Sequence, residues 1–417
     1  MNNICDLKKR RWLYLALFSL INFFTGALYV WSVFAGPLAE RLSALSGSTV
    51  TAASLSPVFG LATGITPFLM LAGGFVNDRF GPRLVIGFGG AAIAAGYLTS
   101  CLIDSPSLLY VTYGLLVGAG TGLVNGCTIN SAVKFFPDRR GFAGGTVTAS
   151  LGIGAALLPF AAAWLLHSEG IVFAFTAFGT VSGLVIILSA LKTEKCPDDF
   201  QSRFTGLSNR NSCGNKNHTW IQMIRTPMFY PLFLLFTSSA TMGLMLLSNI
   251  SAIAQTQIGV GVTMAALSVS VISVANTCGR FVSGTLSDRL GRIPTLMLVL
   301  TAAVAGLLML MNAGIGDTVL FFTGIICIGI CFGAFIGIYP SLVADEYGPL
   351  HNSVNFSVMS FGYSVGGLVG PLLIRWANEG GSFDRAYAVC IAAALAGLTC
   401  ALIALFLKRR DSARRII

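Results

Sequence analysis

The stretch Val271-Ile272-Ser273-Val274-Ala275-Asn276-Thr277-Cys278-Gly279-Arg280-Phe281-Val282-Ser283-Gly284-Thr285-Leu286-Ser287-Asp288-Arg289-Leu290-Gly291-Arg292 decides how the chain reads. It sets one cation, Arg280, inside an apolar run and then enters a short charged loop. A similar loop lies 210 residues earlier, as Gly74-Phe75-Val76-Asn77-Asp78-Arg79-Phe80-Gly81-Pro82-Arg83. The two share G-x-x-x-D-R-x-G. One design is therefore written twice, as internal repeats often are in membrane carriers. Arg280 belongs to the second copy only: its first-half equivalent is Met70, and Asn276 corresponds to Thr66.

Composition names the solvent. Of the 417 residues 55% are hydrophobic and 10% charged, against about 25% charged in soluble domains. Long apolar runs spread over the whole chain point to an all-α protein dissolved in a lipid bilayer. The 48 glycines suit close helix packing there.

Twelve runs reach the roughly 20 residues a bilayer crossing needs. They lie near 12–34, 50–76, 84–102, 108–131, 141–166 and 172–191, then near 231–254, 264–286, 294–311, 319–342, 354–374 and 387–407. The polar, basic stretch Lys192 to Arg225, with Lys195, Arg203, Arg210 and Lys216, reads as a flexible cytoplasmic linker. It divides the chain into 1–191, 192–225 and 226–417, six helices on each side.

The net charge of +10 is topological. Arg41, Arg375 and Arg385 fall in loops on one side, Arg280 lies within a helix, and every other Lys and Arg falls on the opposite side or at the termini. This positive-inside pattern places both termini in the cytoplasm and argues against a nucleic-acid partner. Lys8-Lys9-Arg10-Arg11 precedes a run too long for a cleaved leader, so a retained first helix is expected. The ten Cys lack metal-site spacing and read as small hydrophobes, so no metal and no cofactor are expected.

The repeated loop has a physical basis. A tight turn between helices needs glycines where side chains would block the backbone. Asp78 and Asp288 sit at helix ends, where a carboxylate meets a helix N-terminus or a neighbouring cation. Such charge latches hold a cytoplasmic gate shut in one state and release it in another. The gating set is Gly74, Asp78, Arg79, Gly81 and Arg83 with Gly284, Asp288, Arg289, Gly291 and Arg292.

These residues resemble the major facilitator superfamily, whose loop between helices two and three carries G-x-x-x-D-R-x-G-x-R/K. Twelve helices, a six-plus-six repeat and a central cytoplasmic loop extend the resemblance over nearly the whole chain. A narrower one lies in Lys134-Phe135-Phe136-Pro137-Asp138-Arg139-Arg140-Gly141-Phe142-Ala143-Gly144-Gly145 and in Gly26-Ala27-Leu28-Tyr29-Val30-Trp31-Ser32. Both are similar to segments of the oxalate/formate antiporter family and its monocarboxylate-transporter relatives. The resemblance implies a monomeric carrier, in the bacterial inner membrane, of a small organic anion, with protons as a candidate coupling ion.

Arg280 is the residue on which transport would turn. An Arg at membrane depth costs about 2.5–3.5 kcal/mol on insertion scales, so it faces a cavity or a partner, and its planar fork matches the two oxygens of a carboxylate. Asn276, Thr277 and Ser273 recur on the same helix face. The alternative is a side chain that snorkels to the headgroups, since Asp288 is only about 12 Å further along the helix. In the family this Arg binds substrate. The oxalate exchanger also carries a Lys in helix eleven, at the position of Tyr363 here. A single cation balances a monoanion, which favours lactate or pyruvate over oxalate.

Tyr29, Asn125, Phe332 and Tyr363 are further candidates to line the site, although ordinary packing explains aromatics equally well. Related monocarboxylate transporters often carry an Asp where this chain has Asn276, so anion exchange stays open beside proton symport. No buried catalytic cluster appears, which argues against an enzyme; a non-transporting carboxylate sensor on the same fold is a further alternative, as is a cationic-drug exporter, which would prefer an embedded acid to an embedded Arg.

Overall fold

The computed structural model describes residues 2–46, 49–103, 105–205, 217–247, 249–377 and 383–413. Its membrane-length helices are α1 (Asp6–Leu45), α2 (Ala52–Phe80), α3 (Pro82–Ser100), α4 (Pro106–Phe135), α5 (140–169), α6 (171–191), α7 (Phe229–Leu247), α8 (Val262–Leu290), α9 (Arg292–Asn312), α10 (Thr318–Tyr347), α11 (Asn352–Ala377) and α12 (Asp384–Ala413). Helices α5 and α6 form one run that breaks at Gly170, where φ is +82°. Among the described residues ten helices are long and apolar enough to cross a membrane; with the 140–191 run divided at Gly170 and α11 added by its length, each of the twelve expected runs falls on a helix, six before the linker and six after it. The seventh differs in extent: its helix ends at Leu247, Asn249 leaves helical geometry, and a short helix, Ile250–Thr256, follows.

By their contacts the residues form two compact units. The first comprises residues 1–138, 150–215 and 349–357, and the second 139–149, 216–348 and 358–417. Each unit thus takes in a short piece of the opposite half of the sequence: the start of α11 in the first, the start of α5 in the second.

Helices in lipid gain little from apolar association, so close backbone approach carries much of the packing. In the first unit a Cβ on Gly120 of α4 would come within 2.5 Å of the Gly89 carbonyl oxygen of α3. In the second, Gly366 and Gly370 of α11 lie against α7 at Thr241 and Met245.

Part of the linker is packed chain. Phe200 is buried and its ring lies 6.0 Å from that of Phe135. Lys8 and Arg11 sit over the Phe204 ring, at 4.6 and 4.9 Å. Cys196 Sγ lies 3.5 Å from the Lys134 carbonyl oxygen. Arg210 and Lys216 fall outside the described residues.

Two measurements check this packing. Gly120→Ala lowers the detergent melting temperature, by about 1–3 kcal/mol of overpacking, whereas Gly87→Ala, which meets nothing within 4 Å, leaves it unchanged. Burial pushes the Cys196 thiol up to about 12, with Lys134 pulling it down. Only the thiolate alkylates, and a free thiol titrates near 8.5. Iodoacetamide at pH 8 therefore labels Cys196 at least about 100-fold more slowly in the folded protein than after unfolding, and the rate climbs as pH rises toward 12.

Candidate transport site and charge clasps

Helix α8 holds Arg280 in a bed of glycines. Gly145 of α5 and Gly337 of α10 bring their backbones onto the Arg280 main chain, and Gly333 of α10 does so at Asn276. No Cβ fits at these positions, so three helices approach backbone to backbone around one cation. Arg280 is half-buried. Its Nε donates to Asn276 Oδ1 at 3.0 Å and its Nη1 to the Thr148 carbonyl oxygen of α5 at 2.8 Å. Both acceptors are neutral.

The polar stripe expected on α8 holds only in part. Asn276 is buried and bonded to Arg280, whereas the Thr277 and Ser273 hydroxyls donate to carbonyls one turn back in their own helix. Such back-bonding satisfies a hydroxyl locally.

Phe332 and Tyr363 also belong to the second unit and stack on each other, with centroids 6.1 Å apart and planes at 18°. Tyr363 continues to Phe236, which stacks on Tyr339 at 4.0 Å. Tyr29 and Asn125 belong to the first unit. Tyr29 is 42% exposed, with its ring 6.0 Å from that of Phe59. Asn125 Oδ1 is buried without a hydrogen-bond partner.

The repeated loops form two charge clasps. In the first unit Gly81 turns the chain at φ +90°. Asp78, at the end of α2, accepts from Lys134 Nζ at 2.7 Å and from the Val354 N–H of α11 at 3.2 Å. Lys134 donates also to the Leu350 carbonyl, and Gly74 packs against the backbone at Ser353.

In the second unit Gly291 turns the chain at φ +92°. Asp288 accepts from the Gly141 and Phe142 N–H groups of α5, both at 2.8 Å, and pairs with Arg292 at 2.7 Å. Gly284 packs against the Gly141 backbone. In both clasps a carboxylate meets the orphan N–H groups and positive end of a helix N-terminus.

Arg79, Arg83 and Arg289 complete the repeated motif but have exposed side chains. Other residues join the clasps without having been expected there. Asp345 of α10 accepts from Arg292 Nε at 2.7 Å and from Arg140 Nη1 at 2.6 Å. Lys134 and Arg140 lay in plain view between α4 and α5, but their acid partners are 56 and 205 residues away.

Comparison with known proteins accounts for this architecture. Residues 11–371 match the Major Facilitator Superfamily, and the chain belongs to that family of membrane transporters. Its place is in the branch that holds the oxalate:formate antiporter of Oxalobacter formigenes, 32% identical over 83% of this chain and 80% of the relative. Monocarboxylate transporter 13 of Rattus norvegicus is 25% identical, over 83% and 78% of the two chains. An uncharacterized MFS-type transporter of Escherichia coli, YhjX, is 28% identical over 87% of each. Among solved structures, the transporter FucP in its outward conformation has a TM-score of 0.71 at 16% identity, covering 94% of this chain and 98% of its own; that likeness concerns the fold.

Replacing Asp345 by Asn leaves two guanidinium groups without their shared carboxylate. Because Asp345 keeps 29% of its side chain exposed, the cost falls below the 3–5 kcal/mol of a fully buried pair, at about 2 kcal/mol. Thermal unfolding in detergent reads it, and Asp345→Glu recovers part of the loss.

Proposed function

We propose that the chain is a secondary active transporter that carries a small monocarboxylate, of the lactate or pyruvate kind, across the bacterial inner membrane by alternating access and coupled to protons. The observation that supports this most is Arg280, a cation within the membrane whose Nε and Nη1 donate to neutral oxygens. An incoming carboxylate makes a stronger, charge-assisted bond than the Thr148 carbonyl does, so the anion displaces it while Asn276 keeps the guanidinium aligned. Phe332 and Tyr363 supply an apolar wall and a hydroxyl; Tyr29 and Asn125 are assigned the same lining role from the first unit.

The anion neutralises the charge that otherwise opposes closure, and the two clasps engage and release as access switches. The functional division follows 1–191, 192–225 and 226–417, with both termini cytoplasmic and a monomer as the working unit. Asn276 stands where a titratable group would carry the proton, so the proton travels with the substrate as neutral acid or in balance with Arg280.

A second reading, exchange of one anion for another, is favoured by the relative named an oxalate:formate antiporter. The helix-eleven cation of the oxalate exchanger is Tyr363 in this chain, which weighs against a dianion.

Uptake of labelled lactate, pyruvate, formate and oxalate into proteoliposomes decides the matter. The expected result is gradient-stimulated monocarboxylate uptake that Arg280→Ala lowers by about 10- to 100-fold, the loss of a charge-assisted bond, with Arg280→Lys intermediate. Uptake confined to anion-loaded vesicles establishes exchange instead, and wild-type activity in Arg280→Ala refutes the assignment. Tyr363→Lys shifts preference toward oxalate, measured as the ratio of oxalate to lactate uptake.

A further inference from the structure

Helix α1 is not continuous. Between Asn2–Thr25 and Trp31–Ser46 the chain runs as a 3₁₀ helix over Gly26–Val30. The tighter winding moves each carbonyl from the N–H four residues on to the one three residues on, in poorer hydrogen-bond geometry, and within a bilayer no water supplies a further bond. Here side chains supply it. Tyr97 of α3 donates its hydroxyl to the Ala27 carbonyl at 2.6 Å, and Tyr113 of α4 donates to the Leu28 carbonyl at 2.9 Å. Ser32 donates to the next carbonyl, that of Tyr29, at 3.1 Å. Three consecutive carbonyls thus receive three hydroxyl donors.

Both tyrosine rings are fully buried, and their hydroxyl oxygens lie 3.3 Å apart. Tyr113 sits in a π-helical segment of α4, Tyr110–Val117; the wider winding of that segment alters the helix path at the tyrosine facing the 3₁₀ break. The break is also held from behind: a Cβ on Gly26 would lie 2.6 Å from the Ala155 nitrogen of α5. Ala27, Leu28 and Val30 are buried, and Tyr29 alone in the segment is exposed. The 3₁₀ segment therefore buries its backbone contacts and presents one phenol.

We infer that Tyr97 and Tyr113 are positioning residues for transport: their hydroxyls lock the broken segment of α1 so that Tyr29 is held in its presenting geometry. The inference rests on the reading of Tyr29 as a substrate-lining residue. Neither tyrosine touches the substrate; each acts through the carbonyl it holds.

The test uses the full-length protein in proteoliposomes and two readouts. The first needs no transport. A cysteine is placed at position 29 by Tyr29→Cys, and its modification by a small water-soluble thiol reagent is followed by mass spectrometry of the peptide that contains it. Tyr97→Phe and Tyr113→Phe are each expected to change that rate by at least about fivefold, while a cysteine at Glu40, on the outer part of α1, reacts as before. Equal rates at position 29 in all backgrounds overturn the proposal.

The second readout is a double-mutant cycle on uptake. Tyr113→Phe is expected to raise KM about fivefold with Vmax little changed. In a Tyr29→Phe background the same substitution is expected to alter KM less than twofold. Full multiplication of the two effects overturns the proposal. Wild-type uptake by Tyr29→Phe removes Tyr29 from the substrate site, and the labelling experiment then decides the positioning role by itself. If Tyr97→Phe does not insert, Tyr113→Phe and Ser32→Ala, which remove the neighbouring donors, carry the same comparison.

Discussion

A backbone carbonyl that loses its helical partner inside a bilayer has no water to turn to, and much of this structure follows from that constraint. Regular helices satisfy it within themselves. Where a helix is irregular and its own bonds are poorer, other residues add to them: the Tyr97 and Tyr113 hydroxyls do so over the 3₁₀ break in α1. At the ends of α5 and α11 the free N–H groups are met by Asp288 and Asp78. The same polar groups that make irregular backbone costly in lipid make it useful, because each repair fixes a particular side chain in place.

The two clasps solve one problem with different chemistry. Both use an aspartate from the repeated loop to cap a helix that comes from the other half of the sequence. In the first unit the end of α4 contributes a cation, Lys134, to Asp78. In the second the end of α10 contributes an anion, Asp345, which draws in Arg292 and Arg140. The repeat thus keeps its carboxylate, its glycine turn and a cation on that carboxylate, while the cation comes from α4 in one clasp and from the loop's own Arg292, shared with Asp345, in the other.

Around Arg280 the decisive feature is small residues rather than polar ones. Gly145, Gly333 and Gly337 let α5 and α10 touch the backbone of α8 on either side of the cation. The Arg280 backbone is thereby held at a close crossing of three helices. The guanidinium's hydrogen bond to Thr148 couples the candidate anion site to α5, the helix whose N-terminus is capped by Asp288 eight residues beyond Arg280 on α8. A carboxylate that takes that bond from Thr148 alters a contact on the same two helices that carry the clasp.

The amino-acid sequence by itself determined the lipid solvent, the apolar runs, the repeat and the place of Arg280 inside one such run, because each of these is local: a run of apolar residues, a glycine turn, or an Arg eight residues before an Asp. It also marked Asp78 and Asp288 as groups awaiting a helix terminus. Only the tertiary structure decided which terminus. Nothing local links Asp345 to Arg140, or Tyr113 to the Leu28 carbonyl, since those pairings depend on how helices far apart in sequence cross. It also decided that Thr277 and Ser273 bond to their own helix while Asn276 turns to Arg280. All three share one face in the sequence, and the difference between them came from reach, because only the longer amide side chain extends to the guanidinium one turn on.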